Sequence, residues 1–127
     1  MSLQMRRVAE QFAAAVESET GVQLGFDREA VAWVDGYIEY ARPVPAETMG
    51  RQTTILGAFL GECLIAVYGG EWRMEPGGWA VRFDELAAVY PFTRVRAHLV
   101  NGAGDSVLAF YAAVPGIVRT LHDPGSN

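Results

Sequence analysis

From Ile55 to Gly70 the chain reads ILGAFLGECLIAVYGG, and Glu62 is the one charged residue in it. On a helical wheel Ile55, Phe59, Cys63 and Ala66 fall on one side and Leu56, Leu60, Leu64 and Val67 on another, so no polar face remains. A helix apolar all round is enclosed either by its own protein or by lipid, and a bilayer span needs ~20 apolar residues. This run is shorter and carries a carboxylate at its middle. It therefore reads as a protein-enclosed central helix over about residues 46–68. Gly57 and Gly61, four apart, offer a groove where another backbone can come close, and Gly69-Gly70 supplies the left-handed conformation that ends a helix.

The rest of the chain is read against that spine. Its 127 residues suit one domain with a real core, here taken as residues 1–127 with a core of about 4–121 and a polar, flexible tail at 122–127. The net charge is −5, from fifteen acids and ten bases, and every base is arginine. The basic footprint of a nucleic-acid binder is absent. Arginine without lysine fits a GC-rich bacterial genome. A lone cysteine, Cys63, cannot close an internal disulfide, and no cationic-then-apolar leader opens the sequence, so the expected setting is cytoplasmic. Within the apolar helix Cys63 reads as a small core residue.

Before the spine, Met5, Val8, Phe12, Ala15 and Val16 share a face at helical spacing over about Gln4–Glu19, with a stop at Thr20-Gly21. Phe26-Asp27 then gives a staple and an N-cap for a second helix, roughly Arg28–Ala41, with Ala30, Val31, Val34, Tyr37 and Ile38 on its inner arc. Trp33 and Tyr40 lie on its flank, where they either cover the core or rim a binding surface. Pro43 and Pro45 break the chain before the central helix.

After it the period changes to two. Trp72 and Met74 alternate with charged residues, as do Trp79, Val81 and Phe83 with Ala80 and Arg82, which predicts a β-hairpin over about 71–83 laid on the central helix. Pro76-Gly77-Gly78 is its turn, with positive φ expected at Gly77. Leu86–Tyr90 is read as a third strand, with a helical turn as the alternative. Residues 93–100 fit both strand and helix by local pattern. Asp105 is the expected N-cap of a helix to Val114, ended by Pro115-Gly116, with a short further element at Ile117–Leu121.

On GAFLGE at Gly57–Glu62, GGEW at Gly69–Trp72, YPFTRV, and NGAGDSVLAFY, the chain resembles an uncharacterised family of small bacterial domains of unknown function, over roughly Asp27 to Val114. The resemblance implies two or three helices, a small antiparallel sheet and two C-terminal helices, with residues 93–100 helical and ended by Gly102. It brings no established activity. The fold class expected is α+β, with amphipathic helices around the buried central helix and a two- or three-stranded sheet on one side.

Glu62 is the first candidate for a site, because an isolated buried carboxylate must be paired, hydrogen-bonded or protonated. It is either a general acid or base in a pocket, or a structural anchor accepting from an arginine, a tryptophan or the hairpin backbone. Arg82 and Arg94 are the partners expected. Trp72 and Trp79 face one side of the hairpin and belong to the core; an indole left partly exposed would mark a pocket mouth. Arg94, Arg96 and His98 read as surface charge, with anion binding the alternative. Ser106 lacks a G-x-S-x-G elbow, and His98 and His122 have no neighbours at triad or metal spacing. No catalytic residue, metal or cofactor is assigned. The candidate binding residues are Glu62, Trp72, Arg82 and Arg94. The expectation is a non-enzymatic binding module for a protein or small ligand, of the immunity- or inhibitor-like kind that acidity would suit; the alternative is a small enzyme using Glu62. Homodimerisation through Trp33, Tyr37 and Tyr40 is a further expectation, and neither nucleic acid nor a membrane is an expected partner.

Overall fold

Three segments of period 3.6 precede the change of period at Glu71, and in the structure, a computed structural model describing residues 2–122, they are three helices. These are α1 (Ser2–Thr20), α2 (Arg28–Ala41) and α3 (Ala46–Tyr68). A sheet of β1 (Glu71–Glu75), β2 (Gly78–Arg82) and β3 (Ala88–Val89) follows, then α4 (Pro91–Asn101), a 3-10 turn (Ala103–Asp105) and α5 (Val107–His122). The class is α+β, as expected.

α3 is the spine: α1, α2, α4, α5 and β2 all touch it. Leu56 through Leu64 is buried without interruption. Burying Leu56, Phe59, Leu60 and Leu64 contributes on the order of 1.5–3 kcal/mol for each side chain. The small residues on α3 are matched by large ones opposite. A Cβ at Gly57 would overlap the Phe92 ring of α4, and one at Gly61 would overlap the Trp72 indole of β1. Those two rings in turn pack on each other with centroids 5.6 Å apart. α2 begins as its sequence predicts, with the Asp27 carboxylate accepting from the Ala30 N–H at 2.9 Å.

The sheet is antiparallel in the order β1-β2-β3, with Trp72 opposite Val81 and Val81 opposite Val89. Positive φ in the turn falls on Gly78 and not on Gly77, so the strand itself opens in the conformation glycine favours. Met74, predicted on the apolar face with Trp72, is 60% exposed, because the helices cover the Trp72 end of edge strand β1 and not its tip. The third strand is only two residues long, and Leu86 before it lies exposed. Residues 93–100 are helical, and Gly102 ends that helix with φ 87°.

The last helix departs from expectation at both ends. Its cap is Ser106, whose Oγ accepts from the Ala109 N–H at 3.2 Å, while Asp105 lies in the 3-10 turn and accepts from Asn101. Pro115 does not stop it. Proline in a helix removes the N–H that would bond the carbonyl four residues earlier, here that of Tyr111. The Tyr68 hydroxyl donates to that carbonyl at 3.1 Å, and α5 runs on to His122. His122, predicted to begin a loose tail, hydrogen-bonds Asp84 beside the sheet; residues 123–127 of that tail lie outside the described residues.

Candidate functional site

Glu62 sits where α3 passes under the hairpin, with its side chain 6% exposed. One carboxylate oxygen accepts from the Trp72 indole N–H at 2.8 Å, and the other lies 3.5 Å from the Arg6 guanidinium of α1. Arg6 is itself held by Glu10 at 3.3 Å and lies 4.6 Å over the Phe26 ring. The anchoring arginine therefore comes from α1, and neither of the expected partners reaches Glu62. Arg82 turns toward the loop after β2, where it binds Glu75 at 2.5 Å and the carbonyls of Asp84 and Glu85. Arg94 lies 4.8 Å over the Phe110 ring. Of the four candidate residues, only Glu62 and Trp72 come together.

A second buried polar cluster joins α2, α4 and α5. His98, predicted as surface charge, is 0% exposed. The Val107 N–H donates to its Nδ1 at 3.2 Å, which leaves the ring hydrogen on Nε2, directed at Glu39 Oε2 2.7 Å away. Ser106 donates to Asp35, whose carboxylate also accepts from the Leu108 N–H at 3.0 Å. Serine, histidine and carboxylates thus stand together, but not in the order of a nucleophilic triad: the hydroxyl faces a carboxylate and the imidazole nitrogen is occupied by a backbone N–H. The cluster pins α2 to the start of α5. The hydrogen bonds that tie α2 into it join residues 59 to 73 apart in the chain. Helical spacing at Asp35 and Glu39 was its only local signal.

Cys63 is inert in this setting, since burial pushes its thiol far above the ordinary value, with the Asp27 charge adding to it. Among the described residues no group of three His, Cys, Asp or Glu side chains is placed to hold a metal ion. Nor is any helix among the described residues long and apolar enough to cross a membrane.

A wide concavity lies elsewhere, in a groove of ≈ 800 Å³ where α1, α2 and the N-terminal half of α3 diverge. Phe12 and Val16 form one wall, Trp33 and Tyr37 another, and Ile55 and Arg51 the third. The Trp33 and Tyr37 rings stack with centroids 5.5 Å apart and planes 8° from parallel, and Phe12 meets Trp33 edge-on at 6.2 Å. Tyr40 stands at the rim, 88% exposed. Trp33 and Tyr40 were legible as a flanking pair. The groove itself was not, because it depends on how far α1 and α3 stand apart. A smaller hollow of ≈ 380 Å³ between α1, α3 and the hairpin is lined by Trp79 and Phe92, so the partly exposed indole does mark an opening there. Glu62 lines neither. In comparisons with known proteins, no family model, no curated protein and no solved structure matches the chain.

Proposed function

We propose that the chain is a bacterial, cytoplasmic binding module without catalytic activity, and that its binding site is the groove between α1, α2 and α3. The observation that carries this reading is the gathering of half-buried aromatic rings on the walls of one ≈ 800 Å³ concavity. Sites for small ligands are concave, mainly apolar and furnished with few polar groups, and this groove has that character. The alternative, an enzyme working through Glu62, has less support: its carboxylate is engaged by an indole and a guanidinium and borders neither the large groove nor the Trp79 hollow. A protein partner of basic charge, as an immunity- or inhibitor-like factor would have, is supported by the net charge of −5 alone. The cytoplasmic setting is supported by the single, buried cysteine, and the motif resemblance adds no activity.

The test is a ligand-observed NMR screen of small metabolites against the wild type and Gly36→Leu, whose new side chain projects into the groove. Binders seen with the wild type are expected to be lost with the variant. Binders that persist unchanged would reject the groove. A turnover that disappears in Glu62→Gln, with the fold intact, would replace the binding module by the enzyme.

A further inference from the structure

Gly36 lies in the middle of α2 and lines the groove, and a Cβ built there meets nothing within 4 Å. Its φ is not positive, so backbone conformation does not call for glycine. Glycine inside a helix is nonetheless ~0.5–1 kcal/mol less favourable than alanine. What the missing side chain does here is leave room beside the Trp33 and Tyr37 rings, which flank it at positions −3 and +1 on the same helix.

The charge around that room is equally specific. Arg51 is the one base lining the groove, and among the described residues it has no ion pair and no hydrogen-bond partner. Arg7, Arg28, Arg96 and Arg119 are unpaired in the same sense among the described residues, so what singles Arg51 out is its place in the groove wall. Beside it on α3 the half-buried Gln52 amide is likewise without a partner. On the α1 wall stands one acid, Glu19.

We propose that the groove binds a small, flat, predominantly apolar monocarboxylate, its rings against Trp33 and Tyr37 and its carboxylate on the Arg51 guanidinium. This rests on the groove reading given above and names the class of ligand. Parallel, pre-positioned aromatic faces favour a planar partner, which gives up little conformational freedom on stacking. A guanidinium takes a carboxylate through two parallel hydrogen bonds. With one base and one acid lining the site, a single negative charge is matched by Arg51, whereas the second charge of a phosphate monoester would meet Glu19 uncompensated. The volume of ≈ 800 Å³ falls within the roughly 300–1,000 Å³ usual for small-ligand sites.

The experiment is calorimetric titration of the whole chain with three probes: 2-naphthoate, its neutral isostere 2-naphthamide, and laurate, a flexible carboxylate. Naphthoate is expected to bind at least roughly tenfold more tightly than the amide, a difference that Arg51→Gln removes. Arg96→Gln, on exposed α4 surface, leaves it unchanged, and Gly36→Leu abolishes binding without lowering the melting temperature. Equal binding of naphthoate and naphthamide would overturn the role of Arg51, and tighter binding of laurate would overturn planarity. If no carboxylate binds while other compounds bind the wild type and not Gly36→Leu, the ligand class is wrong and the groove stands. Sedimentation showing a dimer that Gly36→Leu dissociates would assign the groove to a second copy and overturn both.

Discussion

Two sides of the same helix bundle treat glycine in opposite ways. On the hairpin side, Gly57 and Gly61 are covered by Phe92 and Trp72, so closely that no side chain fits. On the α2 side, Gly36 faces open space within a groove of ≈ 800 Å³. In the first case the glycines are explained by the protein's own packing: they let aromatic rings reach the spine, and Glu62 then fixes one ring by its indole N–H. In the second the protein supplies nothing to fill the space. The contrast separates a region that is finished on folding from one that is left open, and it does so with a single residue type.

The sharpest way to break this contrast is to add one methyl on each side. Gly61→Ala forces the Trp72 indole aside while Glu62 holds it, and is expected to lower stability by about 2–3 kcal/mol in chemical denaturation. A smaller loss, about 1–2 kcal/mol, is expected for Glu62→Gln, which keeps the shape and removes the charge that receives the indole and faces Arg6. Unchanged melting there would reject the anchor. Tyr111→Phe probes the closed core at another point, beside Tyr68. The Tyr111 hydroxyl is buried and has no hydrogen-bond partner among the described residues, so its removal is expected to raise stability by about 1 kcal/mol. Burial also pushes that phenol up to about 12, above its ordinary value near 10. The folded protein thus keeps a proton that the unfolded chain releases, and stability from this group falls as pH rises from about 10 through 12. A denaturation series across that range should show a shallower fall for Tyr111→Phe. The smallest effect completes the comparison: Gly36→Ala is expected to gain roughly 0.5–1 kcal/mol, opposite in sign to Gly61→Ala.

What could be read in the sequence was what local spacing encodes. The spine, the Asp27 cap of α2 and the hairpin all follow from periods of 3.6 and 2 and from residues that punctuate them. So did the conclusion that Glu62 needs a partner, with tryptophan among those named. Which arginine would serve was not legible, because Arg6 precedes Glu62 by 56 residues and only the docking of α1 on α3 brings them together. His98 was misread for the same reason: its partner Glu39 lies 59 residues away on another helix. Pro115 was taken as a stop because the rescue of the Tyr111 carbonyl by Tyr68 is a tertiary contact. The open groove had two local signs, the flanking pair Trp33 and Tyr40 and a glycine inside an otherwise helical stretch at Gly36, and neither said whether the space beside them would be filled.

The cluster that pins α2 also sets an order on synthesis. Asp35 receives its hydrogen bonds from Ser106 and Leu108, so during translation α2 leaves the ribosome more than seventy residues ahead of the groups that lock it. Until α4 brings His98 to Glu39 and α5 brings Ser106 and Leu108 to Asp35, no side-chain hydrogen bond among the described residues ties the helix carrying Trp33 and Tyr37 to another helix, and the loop closed by the last of these spans more than half the chain. The wall of the groove that α2 supplies is therefore made early and locked last.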